Sequence, residues 1–395
     1  MLDQPLGVAC LVGQADVVEL EERRPRHWLF PSQHPGRPAL PATIGHRLQR
    51  LGIQPSTYRA AALLHLAGEM PRPSSATSSA SVTPPCTTGP SSPDDHGPAT
   101  PQIDSTRRSI VTSMDVLVIG GSGFLGQEVT RQSRRAGARV AATFHRHALP
   151  IAGVDWRGLD IRHRDDATAL VQQTRPAVII NTAFQQADWA TTADGAMHVA
   201  AASAAVGARL VHVSSDAVFS GRAQRYDETC PPDPITPYGA AKAAAETAIK
   251  GLDPTAVIAR TSLIIGDGDS THETYVHSLA SGATAGVLFT DDVRCPVHVN
   301  DLASALLELA ASPHCGFHHV AGAEAVSRHE LGVLIARRDG LDETTLPTGL
   351  RARTGPPGPL DVRLDCTMTQ SRLTTRLRGA HEFLTATPDP ADRKV

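Results

Sequence analysis

No run of about 18 consecutive apolar residues occurs in the sequence, so nothing in it reads as a transmembrane helix and no membrane partner is expected. The six cysteines (Cys10, Cys86, Cys230, Cys295, Cys315, Cys366) contain no CxxC pair, which suits a reduced protein better than a disulfide or zinc framework. Basic excess is also missing. With 37 Lys and Arg against 40 Asp and Glu, the net charge is -3, and nucleic acid, which draws its affinity from cationic surface, is not an expected partner. The opening MLDQPLGVACLVGQ carries an acidic residue where a signal peptide needs positive charge, and its apolar run is short, so a cytoplasmic location is expected.

Residues 71–113 lack Phe, Trp, Tyr and Leu altogether and consist chiefly of Ser, Thr, Pro and Gly. Such a segment cannot bury enough apolar surface to offset its ordering entropy, which predicts a disordered linker. Residues 1–70 form an extension whose fold stays open. Apolar positions at helical spacing between Arg47 and Leu66 predict one or two short helices after the proline-rich Pro31–Pro41. Met114 stands directly before the first strong strand, and two readings remain for what precedes it: a tethered extension, or a start assigned too early.

From Met114 the pattern is regular. Val116 to Ile119 reads as a buried parallel strand running into Gly120, Ser122, Gly123, Phe124, Leu125 and Gly126, with a helix beginning near Leu125. A strand, a glycine turn and a helix make a dinucleotide site: the first glycine reverses the chain, the second admits a pyrophosphate, and the third lets helix and strand pack closely. The free amides of the helix start then face the phosphates. Further strands are predicted over Arg139–Thr143, Ala177–Asn181, Arg209–Ser214 and Thr255–Thr261. They alternate with helices over Asp165–Gln173, Thr191–Val206 and Tyr238–Ile249. That alternation means an α/β fold, a doubly wound parallel sheet covered on both faces, with ligands beyond the carboxyl ends of the strands.

The residues after the second strand select the cofactor. Residues 134–150 hold no acidic group to take a ribose 2′-hydroxyl but do contain Arg146 between His145 and His147, which favours the 2′-phosphate of NADPH over NADH. Asp160 and Ile161, at the end of the third strand, sit where an adenine contact is expected, and Thr182 and Ala183, after the fourth, are further cofactor candidates. Tyr238 and Lys242 are four residues apart and so share a helix face, close enough for the ammonium to favour the tyrosinate. They follow a strand ending in Ser214, Ser215 and Asp216. Ser215 can hold a carbonyl oxygen while Tyr238 protonates it and a nicotinamide delivers hydride. The His314, Cys315, His318 and His319 cluster is not expected to bind metal, because neighbours on a strand point to opposite faces.

Together with NTAFQQAD, SSDAVFSG, PYGAAK, ARTSLIIG, DDVRCPVHVNDLA, GFHHVAGAEAVSRHELG and DVRLDCTMTQSRL, these motifs resemble the extended short-chain dehydrogenase/reductases, and within them the dTDP-4-dehydrorhamnose reductase group of sugar-nucleotide reductases. The resemblance implies one NAD(P)-binding domain over 114–388, with segments after Thr261 closing as a small lobe over a nucleoside-diphosphate sugar. It implies catalytic Ser215, Tyr238 and Lys242, substrate contacts from Asp216, Thr261 and Ser262, and a homodimer as one assembly. The expected activity is NADPH-dependent reduction of a 4-keto sugar nucleotide. Two rivals stay open: a sugar-nucleotide epimerase or dehydratase with bound NAD, and a non-catalytic NADP-binding regulatory subunit such as that of methionine adenosyltransferase. Thr192, where the family often has Asn, puts a bend or proton-relay role in question. Ala217, where rhamnose-pathway enzymes often have an aromatic residue, questions the rhamnose substrate itself.

Overall fold

The computed structural model describes residues 115–385; the expectations for 1–113 lie outside these residues. Seven parallel strands form the central sheet: β1 (Asp115–Ile119), β2 (Arg139–Phe144), β3 (Val154–Gly158), β4 (Val178–Asn181), β5 (Arg209–Ser215), β6 (Val257–Thr261) and β7 (Gly316–His319). Their order across the sheet is β7-β6-β5-β4-β1-β2-β3, with each neighbouring pair parallel. Helices α1 (Phe124–Arg135), α2 (Arg164–Thr174), α3 (Ala196–Val206) and α4 (Pro237–Leu252) make the crossovers between strands.

The alternation within β1 shows why both faces need covering. Val116 and Val118 belong to one core, with Val129 of α1 and Leu302 and Leu306 of α5 (Val299–Ala310). Leu117 and Ile119 belong to the other, with Val199 and Ala200 of α3 and Ala245 and Ile249 of α4. A strand buried on both sides must be apolar at its buried positions, and Val116–Ile119 is; only Asp115, at the partly covered start, is charged. The order in which strands are added reverses between β1 and β4, and at such a switch point ligands bind beyond the carboxyl ends of the strands.

Where the apolar pattern predicts one helix from Thr191, the chain instead forms a π-helical turn over Ala190–Gly195 that continues into α3. Thr192 holds it in place: its hydroxyl donates to the Gln185 carbonyl (2.7 Å) and accepts from the Gln185 amide (3.1 Å). The bend is therefore present with Thr in place of Asn. Beyond β6, short strand pairs carry a smaller lobe built on α6 (Arg328–Arg338), with its own cluster of Leu263, Val276, Leu288, Leu331 and Ile335. Among the described residues, no helix is long and apolar enough to cross a membrane.

Candidate active site

The glycine turn is held by main-chain contacts. Gly120 has φ +80°, a conformation that side chains resist, and its amide donates to Thr143 Oγ1 of β2 at 2.9 Å. A Cβ on Gly126 would lie 2.1 Å from the Gly120 carbonyl oxygen, so only glycine lets α1 start this close to β1. Gly123 caps α1 without any side-chain hydrogen bond, which leaves the first-turn amides facing the crevice. Leu125 and Ile161 contribute side chains to the two cores rather than to the crevice, so any cofactor contact from them is through the backbone. Thr182 Oγ1 donates to the carbonyls of Ile119 (3.0 Å) and Gly120 (3.2 Å), tying β4 to the turn beside Ala183. Gly121 lies outside the three-glycine motif and is constrained all the same. A Cβ there would meet Ala142 at 2.7 Å, and the GG doublet is the sequence signal that marks it.

Arg146 is exposed just past β2. Asp160 falls two residues beyond the end of β3, not at it. Its carboxylate is gripped by the Arg162 guanidinium (Nη2 to Oδ2 2.6 Å), which lowers its pKa to about 2, and His145 lies 3.7 Å away.

Ser215, Tyr238 and Lys242 meet at the carboxyl end of β5. Thr236 caps α4 by accepting from the Gly239 amide, and Pro237 occupies the first turn, which starts the helix one residue before the tyrosine. Gly239 was not among the expected site residues, yet a Cβ on it would lie 2.0 Å from the Ala217 carbonyl oxygen. Its absence lets α4 rest directly on the serine turn. Burial pushes the Tyr238 phenol above its ordinary range, against a hydrogen bond with Ser215 that lowers it. Lys242 is buried, donates to the Val213 carbonyl at 2.9 Å, and is brought down to about 8 by burial, opposed by the nearby Glu246 charge. The spacing argument made Lys242 the group that eases tyrosine ionisation. In the structure the Lys242 ammonium turns to the Val213 carbonyl, because helical spacing fixes which face a side chain is on but not where its tip turns.

Phe184, missed in the sequence, is half exposed beside the pair, with its ring 5.9 Å from that of Tyr238 and 5.3 Å from Lys242 Nζ. Asp216 was expected to meet substrate, but it is buried and already engaged. It accepts from Ser215 (3.2 Å) and Ser262 (2.7 Å), and Arg294 Nε lies 3.6 Å away. Thr261 is buried with an unpartnered hydroxyl, while Ser262 is only partly covered. His318 and His319 are fully buried and held down to about 4, chiefly by that burial.

In the smaller lobe a cavity of about 670 Å³ has apolar walls from Val276, Leu288 and Leu331 and a polar end of His272, Asp292 and Arg328. That is the size and character of a small-molecule site.

Comparisons with known proteins bear on the family and the fold. The chain is 34% identical over 212 residues to a dTDP-4-dehydrorhamnose reductase of Streptomyces griseus, covering 51% of this chain and 66% of that protein. It is 27% identical over 277 residues to the methionine adenosyltransferase 2 subunit beta of Xenopus laevis, covering 65% and 81%. A crystal structure of dTDP-4-dehydrorhamnose reductase from Bacillus anthracis in complex with NADP shares the fold, with a TM-score of 0.58, 24% identity, and coverage of 69% of this chain and 97% of that one. Residues 114–389 match the family described as the RmlD substrate binding domain, and with more than half its length inside that match the chain belongs to this family.

Proposed function

We propose that the protein is an oxidoreductase that uses NADPH to reduce a 4-keto group on a nucleoside-diphosphate sugar. The observation that carries this reading is the placing of Ser215, Tyr238 and Lys242 together at the end of β5, opening on the crevice where the glycine turn presents its amides. NADPH, when bound, supplies hydride. The first-turn amides of α1 would hold its pyrophosphate, Arg146 its 2′-phosphate, and Lys242 its nicotinamide ribose. Ser215 would turn its one proton from Asp216 to the substrate oxygen, and Tyr238 would protonate that oxygen. A phenol pushed up by burial is fully protonated near neutral pH, the form that a reduction consumes.

The second reading, a cofactor-binding subunit without turnover, is favoured by the likeness to the methionine adenosyltransferase subunit. Following NADPH oxidation at saturating cofactor across a panel of 4-keto sugar nucleotides separates the two. Turnover with one member supports the reductase, whereas tight NADPH binding with no oxidation by any member favours the subunit.

Fluorescence titration with each cofactor tests cofactor choice. A charge-assisted bond from Arg146 to the 2′-phosphate contributes roughly 1.5 to 3 kcal/mol, so NADPH should bind about tenfold or more tightly than NADH. Arg146→Ala should erase most of that difference, and equal affinities in the parent protein would refute the assignment.

A further inference from the structure

The polar end of the lobe cavity holds a carboxylate where an anionic substrate needs cations. Asp292 is 1% exposed and faces three arginines. Arg351 Nη1 lies 2.6 Å from Oδ2, Arg294 Nη1 2.9 Å from Oδ1, and Arg328 Nε 3.5 Å from Oδ2. Arg294 is otherwise consumed: its Nη groups donate to the carbonyls of Val293, Pro359 and Leu360, and its Nε faces Asp216. Arg351 does not line the cavity. Arg328 does, and its pairing with Asp292 is the longest of the three. Asp292 Oδ1 accepts no aligned hydrogen bond despite the nearness of Arg294. The cavity therefore ends in one guanidinium held at long range by two groups, His272 Nδ1 at 3.3 Å and a buried carboxylate with unused acceptor capacity at 3.5 Å.

We propose that Asp292 is an internal competitor for the diphosphate of the substrate: it pairs with Arg328, yields it when the anion enters, and reclaims it to speed departure of the product. This rests on the reductase reading for the identity of the anion. Because Arg294 divides its charge between Asp292 and Asp216, Asp292 also keeps Arg294 from drawing Asp216 off Ser215 and Ser262. Asp292 is thus a positioning residue that lowers affinity and raises turnover, in keeping with binding energy being wasted when it stabilises bound states uniformly.

The test uses the full chain and dTDP as the probe. In Asp292→Asn the competitor loses its charge, so the Kd for dTDP by calorimetry should fall about tenfold. With a reducible 4-keto substrate, KM and kcat should both fall, as release becomes slow. A merely structural residue would do the reverse, weakening binding as the site distorts. Should Asp292→Asn fold poorly with its arginines unpaired, Asp292→Asn combined with Arg351→Met restores the charge balance and should still bind dTDP more tightly than the parent. Unchanged or weaker dTDP affinity in a folded variant overturns the proposal, as does failure of the parent to bind dTDP. Since the calorimetry needs no turnover, tightened affinity in a protein that oxidises NADPH with no panel member would sink the reductase reading alone.

Discussion

Replacing Tyr238 by Phe should lower NADPH-dependent turnover of a 4-keto sugar nucleotide by about 10² to 10⁴, the range for losing a general acid, while NADPH binding stays nearly intact. The change removes one hydroxyl and leaves the ring, so the contact with Phe184 survives. What is lost is the proton donor and its hydrogen bond with Ser215. Binding and chemistry should therefore come apart. Cofactor affinity is measured by fluorescence titration and turnover at saturating NADPH. A variant that turned over like its parent would show that the proton comes from elsewhere, with Ser215 the next group in reach.

The largest effect on stability is expected beneath the site. Arg260 and Glu246 are both fully buried, joined by Nη2 to Oε2 at 2.8 Å and Nε to Oε1 at 3.0 Å, and Ser214 donates to the same carboxylate at 2.6 Å. The guanidinium lies between two rings, 5.0 Å from Phe219 and 4.2 Å from Phe317. Glu246→Ala strands that charge away from water, which should cost about 3 to 5 kcal/mol, a large share of the roughly 5 to 15 kcal/mol that holds a typical domain folded. The desolvation of both ions nearly cancels their attraction, so Glu246→Leu combined with Arg260→Met should recover most of the loss. Thermal unfolding of the single and double variants decides it. If the double variant is no more stable than Glu246→Ala, the penalty does not come from the unpaired charge.

Features that depend on neighbours along the chain are legible in the sequence: the glycine turn, the apolar period of β1, and the spacing of Tyr238 and Lys242. Each follows from a local period or turn that the chain cannot disguise. Features that depend on where a side chain ends are not. Asp216 adjoins Ser215 in sequence, but its carboxylate turns inward to Ser262 and Arg294, a residue far along the chain. The arginines around Asp292 come from three separate segments, and no spacing rule brings positions 294, 328 and 351 together. Phe184 sits in a loop whose path is set by the Thr192 bridge to Gln185, a contact hidden inside what reads as an ordinary helix start.

The two closest approaches at the site, Gly126 against Gly120 and Gly239 against Ala217, are backbone meeting backbone. The spacing between the glycine turn and the start of the Tyr238 helix is thus fixed by main chain, independent of the side chains around it. Replacing the Phe184 or Ala217 side chain leaves both backbone contacts in place, whereas Ser262 is tied through Asp216 to Ser215. Such an arrangement lets descendants of one scaffold explore new sugars by single replacements while inheriting the reduction step unchanged.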